Sequence, residues 1–347
     1  MKRLQRTHLA HCTSVGPLPA PLSRQSLGRP GRELHPLSGR SFRELREEIF
    51  RLHAVGEYAD ALTLLLREAV HFPDQWSETL YWQGCLSALT GDVRGALRCL
   101  QEAVERGHWW SEATLRGDSD LKVLQGDPQF EALVSVCQWR YTQAEAAARP
   151  DLIVLTPTKD PPWPLLIALH GAGGTAEEFA QHLRPATTEG WLVGVPQSSQ
   201  VVAPGGYGWA DRDRTAREVR GHYEMMVRDY PVDPSRVVLA GFSQGGTAAV
   251  FIGLSGLVRA RGILGVACAP QDLNDVQKAV RDTSVRQMRL YLLVGDKDHL
   301  FKRVTDFGEV LKSAGMAVQL EVRPALGHEL PDDFNLSLAT ALEFLSR

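Results

Sequence analysis

The chain has 347 residues, long enough for two domains, and its 44% hydrophobic and 23% charged content is that of an ordinary globular protein. A net charge of -3 gives no reason to expect nucleic acid or an acidic membrane surface as partner, and no unbroken apolar stretch is long enough to span a bilayer. The five cysteines, Cys12, Cys85, Cys99, Cys137 and Cys268, are odd in number, widely spaced and without a CxxC pair, which favours reduced thiols in a cytoplasmic protein over a disulfide framework or a zinc site.

Residues 1–40 carry Pro17, Pro19, Pro21, Pro30 and Pro36, many basic residues and a single acid, Glu33, and are expected to form a disordered leader. No apolar run follows the basic start, so the segment is not read as a secretory signal peptide. Its Arg and Ser content also fits an organellar transit peptide, and an N-terminal extension from an upstream start codon is the preferred reading. Helix is expected from Ser41, an N-cap whose capping box is completed by Glu44. Gly56-Glu57-Tyr58-Ala59-Asp60-Ala61-Leu62 then returns as Gly91-Asp92-Val93-Arg94-Gly95-Ala96-Leu97, and Glu68-Ala69-Val70 returns as Glu102-Ala103-Val104. A period in the mid-thirties with a small residue at the turn is that of a helix-turn-helix repeat. Residues 41–143 therefore resemble a tetratricopeptide-repeat pair closed by a capping helix pair, with Pro73 at the end of the first unit and Trp82, Gly84 and Leu86 interlocking in the second. Such a domain implies a protein partner or self-association through the repeats, and two repeats are fewer than usually stand alone. Residues 144–150 read as a linker.

Residues 151–347 alternate apolar runs with helical patterns, which predicts a mostly parallel sheet flanked by helices. Strands are expected at 151–155, 165–169, 191–195, 236–240, 262–267, 288–294 and 318–322, and helices at 176–183, 217–230 and 302–315. The strand at 236–240 runs into Gly241-Phe242-Ser243-Gln244-Gly245-Gly246, a nucleophile elbow in which the glycines let Ser243 sit, strained, at a sharp strand-to-helix turn. The pentapeptide alone is weak evidence; the strand before it and the small-residue helix start after it are what give it weight. His170-Gly171-Ala172-Gly173-Gly174 follows the strand at 165–169, where glycines let backbone approach a substrate. Ala172 and Gln244 are the candidate N–H donors to an oxyanion, and His170 is expected to organise the loop rather than act as base. Tyr207 and Trp209, in a Gly-rich loop at 203–211, and Gly171 are candidates for lining the substrate cleft, Trp209 being equally readable as a packing residue. Gly295-Asp296-Lys297-Asp298 offers two acids just beyond a strand, and His328 follows the last strand in Gly327-His328. Nucleophile, acid and histidine thus fall in the order of α/β-hydrolases, unlike that of chymotrypsin-like or subtilisin-like proteases.

On these motifs the segment 151–347 resembles the phospholipase/carboxylesterase branch of the α/β-hydrolases, relatives of the acyl-protein thioesterases. The resemblance implies that Asp298, three residues after Gly295, is the acid and Asp296 its rival. The loop at 170–174 departs from the usual acyl-protein thioesterase pattern, so palmitoyl-protein substrates are not implied. Some twenty residues between the strands at 262–267 and 288–294 are too few for a large lid. The expected fold is α/β, an α/β-hydrolase preceded by a small all-α repeat domain. The expected activity is hydrolysis of short or medium acyl esters (EC 3.1.1.-) by Ser243, His328 and Asp298, on a small-molecule substrate and with no metal or organic cofactor. A thioesterase or peptidase with the same triad, and an interaction module on an inactive hydrolase fold, are the alternatives.

Overall fold

The computed structural model of the protein describes residues 39–270 and 272–347. The leader expected at 1–40 thus lies, apart from Gly39 and Arg40, outside the described residues. The described residues divide into two compact units, one of 39–147 with Val202–Gly205, the other of Ala148–Val201 and Gly206–Arg347.

The first unit is helical: α1 (Phe42–Ala54), α2 (Tyr58–Glu68), α3 (Trp76–Leu89), α4 (Val93–Glu105), α5 (Glu112–Gly117) and α6 (Pro128–Ala147), with a 3-10 turn at Ser119–Leu124. Ser41 and Glu44 form the reciprocal capping box at the start of α1. The turns after α1 and α3 are built alike. Gly56 (φ 83) and Gly91 (φ 86) take the left-handed conformation that closes a helix, their amides donating to His53 and Ala88 carbonyls, and the next amides, of Glu57 and Asp92, reach back to Leu52 and Ser87. The expected repeat therefore amounts to two helix hairpins with matching turns. The tetratricopeptide reading extends no further than a helical N-terminal region. Helix α6 runs through Ala147, into the expected linker, because Ala144-Glu145-Ala146-Ala147 are strong helix formers and the helix stops only ahead of Pro150.

After Ala147 the chain forms β1 (Asp151–Leu155), β2 (Trp163–Leu169), α7 (Ala176–Thr188), β3 (Leu192–Gln197), β4 (Gln200–Ala203, its last two residues grouped with the first unit), β5 (Gly206–Gly208), α8 (Arg212–Asp229), β6 (Val232–Phe242) and α9 (Ser243–Leu254). It continues through β7 (Gly262–Val266), α10 (Leu273–Ala279), α11 (Thr283–Arg286), β8 (Arg289–Gly295), α12 (Phe301–Ser313), β9 (Ala317–Arg323) and α13 (Phe334–Ser346). Seven strands form one sheet in the order β1-β3-β2-β6-β7-β8-β9, in which β1 lies antiparallel to β3 and every other pairing is parallel. This is the α/β-hydrolase arrangement expected. The inner stretches of the central strands, such as residues 165–169, 237–240 and 290–294, are apolar because both faces are covered. Leu165, Ile167, Leu239, Ile263 and Leu292 enter one core with α8, α9 and α12, while Leu166, Ala168, Val238, Leu264 and Leu293 enter the other with α7 and α13.

Several elements differ from expectation. Helix α7 passes Pro185 instead of ending before it, since Ala186 is wholly buried and packing offsets one lost backbone hydrogen bond. Helix α8 begins five residues early, at Arg212, because the Asp211 carboxylate caps it by accepting from the Arg214 amide. Between β7 and β8 the stretch judged too short for a lid folds as the short helices α10 and α11.

Candidate active site

Strand β6 lies at the centre of the sheet and passes directly into α9, whose first residue, Ser243, has φ 53. A non-glycine side chain in the left-handed region costs of order 1–3 kcal/mol and persists only where the surroundings impose it. The flanking glycines do not share the strained torsion. They are required because strand and helix close on one another: a Cβ at Gly241 would lie 2.4 Å from the Gly245 carbonyl carbon, and one at Gly245 would lie 2.2 Å from the His170 carbonyl oxygen. The strain expected at the elbow is thus carried by Ser243 itself, and the glycines make room for it.

Ser243 Oγ lies 2.7 Å from His328 Nε2, and His328 Nδ1 lies 2.9 Å from Asp298 Oδ2. The Asp298 side chain is fully buried, and its other oxygen accepts from the Leu300 amide at 2.7 Å and lies 3.3 Å from His299 Nδ1. The two acids after β8 have different placements. Asp298 faces the imidazole, whereas Asp296 accepts from the Ala325 amide at 2.8 Å and ties down the loop that carries His328. Lys297 donates its amide to the Leu326 carbonyl, and a Cβ at Gly295 would lie 2.0 Å from that same oxygen, so the acid loop and the histidine loop are held in direct contact. Phe242 and His299 flank His328, with ring centroids at 5.2 and 4.6 Å.

On the opposite side of Ser243, Gln244 is the second residue of α9, where helix geometry leaves the amide without an intrahelical acceptor. Its side-chain oxygen accepts from the Trp209 amide at 2.7 Å. The loop after β2 is organised by His170, whose Nδ1 donates to the Gly171 carbonyl at 2.8 Å and whose ring is buried; burial holds its pKa down at about 4, so it stays neutral. Ala172 lies half-buried within this loop, and the Gly173 and Gly174 backbone pairs with Tyr207. Gly171 packs so closely on Phe242 that a Cβ would meet the ring at 2.8 Å. Trp209 is buried and its indole N–H donates to the His170 carbonyl at 2.9 Å, so it holds the loop; it also borders a cavity of about 160 Å³ formed with Gln244, Thr247, Ala248, Phe251 and Arg212. Cys268, beneath the elbow, is wholly buried, and burial pushes its thiol up to about 12, so it is no rival nucleophile.

Sequence reasoning missed His299 and the Gln244 side chain. His299 adjoins Asp298, but nothing in its spacing marks it, and Gln244 was considered only for its amide. Two groups of donor atoms among the described residues lie close enough together to hold a metal ion. One is Asp298, His299 and His328, whose donors face one another and Ser243; the other, Cys85, Asp118 and Asp120, is in the helical unit.

Residues 151–346 match the family model described as Phospholipase/Carboxylesterase, and residues 41–145 match one described as an A/B hydrolase-like N-terminal domain. No curated protein matches the sequence. Among solved structures, an uncharacterized protein from Bacillus cereus ATCC 10987 is similar over 88% of this chain and 99% of its own, at 24% identity and a TM-score of 0.50, a likeness of fold. Acyl-protein thioesterase 2 of Zea mays covers 57% of this chain and 99% of its own, at 15% identity and a TM-score of 0.47. The carboxylesterase of Bacillus cereus covers 59% and 99%, at 14% and 0.47.

Proposed function

Because the chain belongs to the phospholipase/carboxylesterase family, we propose that it is a serine carboxylesterase (EC 3.1.1.-) that hydrolyses esters of short or medium acyl chains through Ser243, His328 and Asp298. The observation that carries this is the continuous path from Ser243 Oγ to His328 Nε2 and from His328 Nδ1 to the buried Asp298 carboxylate. Ser243 Oγ attacks the acyl carbon while His328 takes its proton, and Asp298 orients the ring and stabilises the imidazolium. Negative charge gathers on the former carbonyl oxygen, which the Ala172 and Gln244 amides receive. His328 then protonates the leaving alcohol, giving an acyl-Ser243 ester, and the same groups activate water to release the acid.

Small acyl groups are favoured by the size of the space beside Gln244. It holds about 160 Å³ and shares Arg212, Thr247 and Phe251 with a second space of about 200 Å³, so the two together reach only the low end of the roughly 300–1,000 Å³ that accommodates drug-sized ligands. The free thiols among the described residues, Cys85, Cys99, Cys137 and Cys268, accord with a cytoplasmic setting. The test is hydrolysis of p-nitrophenyl acetate, butyrate and longer esters by the whole chain. Wild type should prefer the short esters and be labelled by a fluorophosphonate at Ser243, and Ser243→Ala should lose roughly a factor of 10⁶ in kcat. Labelling elsewhere, or a Ser243→Ala variant as active as its parent, overturns the proposal. A thioesterase would use the same groups, and acyl-CoA turnover exceeding aryl-ester turnover would select it.

A further inference from the structure

We propose that His53, Cys85, Asp118 and Asp120 form a structural zinc site inside the helical unit. The four side chains come from three separate segments: the last turn of α1, the middle of α3, and the cap and second residue of the 3-10 turn at 119–124. All four are buried, none more than 4% exposed. The donor atoms of Cys85, Asp118 and Asp120 all fall within 4.8 Å of one another, the Cys85 thiol donating to Asp118 Oδ2 at 3.8 Å, and His53 stands at the edge of this group with Nε2 2.8 Å from Asp120 Oδ2, from where it turns in to complete the shell.

Two carboxylates in so small a dry volume repel each other, and burying them is costly unless cations compensate both. His53, when protonated, balances only one. The Cys85 thiol donates a weak hydrogen bond to Asp118 but, being neutral, balances neither charge. A divalent ion compensates the whole set. One sulfur, one imidazole nitrogen and two carboxylate oxygens make the four-coordinate, mixed-softness shell that suits Zn²⁺, whereas Ca²⁺ and Mg²⁺ take shells of six or more oxygens. Supporting hydrogen bonds are also in place. The Tyr81 hydroxyl donates to Asp118 Oδ2 at 2.7 Å and the Asp120 amide donates to Asp118 Oδ1 at 2.9 Å, the kind of outer contacts that orient metal-bound carboxylates.

On binding, bonds form from zinc to Cys85 Sγ, His53 Nε2 and one oxygen of each aspartate. The Cys85 thiol proton leaves to solvent, and the proton between His53 and Asp120 moves to His53 Nδ1 or also leaves, with no change of oxidation state. With bonds of about 2.0–2.3 Å, the His53 to Asp120 separation opens by roughly half an ångström. Because the donors are enclosed, the ion enters as the unit folds.

The test uses the whole chain, made without a histidine tag. After gel filtration it should carry about one zinc per chain by elemental analysis. Unfolding in chelator and refolding with Co²⁺ should give thiolate-to-cobalt absorption in the near ultraviolet. Cys85→Ser should abolish that band, and Tyr81→Phe, which keeps all four donors, should weaken zinc affinity at least tenfold. Refolded wild type with native circular dichroism but no band and under a tenth of an equivalent of zinc overturns the proposal and leaves a metal-free polar network. A band that survives in Cys85→Ser overturns it too.

Discussion

Each unit of this protein joins a histidine to a buried aspartate, and the two pairs differ in what the third member meets. In the hydrolase unit Asp298 contacts His328, and His328 contacts Ser243, a half-buried hydroxyl held at a strained torsion in a sharp turn. In the helical unit the pair of His53 and Asp120 is shut inside the core, beside a buried thiol and a second carboxylate. Similar residue types are thus placed for different chemistry. A half-buried hydroxyl bonded to an imidazole has the geometry that acyl transfer needs, whereas an enclosed set suits a fixed ion or a structural network.

The sharpest way to break this comparison is Asp298→Asn, which keeps the shape of the relay but favours the wrong histidine tautomer. We expect kcat on p-nitrophenyl acetate to fall by about 10⁴ with little change in KM. A loss under tenfold would mean that Asp298 is no more functional than its counterpart in the helical unit. Glycines provide the next contrast. Gly245→Ala forces a Cβ onto the His170 carbonyl, and overpacking of this kind should cost about 3 kcal/mol and most of the activity. Gly91→Ala meets no atom within 4 Å and pays only for its positive φ, about 1–2 kcal/mol in chemical denaturation, with activity retained. Equal costs would refute the distinction between packing and torsional glycines.

Acid should separate the units by a smaller margin. His170 has its pKa held at about 4 by burial, so between pH 6.5 and 4 the folded state binds fewer protons than the unfolded one, and stability falls with pH. From pH 6.5 to 5 this amounts to about 2 kcal/mol. In the helical unit His108, also held at about 4 by burial, acts the same way, but burial raises Glu78 to about 7. A carboxyl with a raised pKa gains stability as pH falls from 7 to 4.5, so the two contributions oppose each other. Hydrogen exchange at pH 6.5 and 5 should show strands β2 and β6 losing protection while α3 and α4 change little. The reverse order would contradict these assignments.

Much of the hydrolase unit was legible because its information is local. Strand β1 has the bounds 151–155 read for it, the elbow announces itself in a few contiguous residues, and each expected strand is present to within a few residues. The C-terminal helix α13 was not anticipated, although its residues pack the second core face. Helix α8 was read short because its charged first turn hides the cap at Asp211. The contacts of Cys85 with Asp118 and of His53 with Asp120 join residues 33 and 67 positions apart, so no short motif announces them.

By itself the sequence determined that Ser243 would stand at a strand-to-helix turn and that a helical region with a recurring glycine turn would precede the sheet, because backbone conformation follows from neighbouring side chains. Only the tertiary structure decided that Asp298 and not Asp296 meets His328, that Trp209 holds the His170 loop, and that Cys85 faces Asp118. Those outcomes depend on which distant segments pack against each other, and no residue's immediate neighbours encode that.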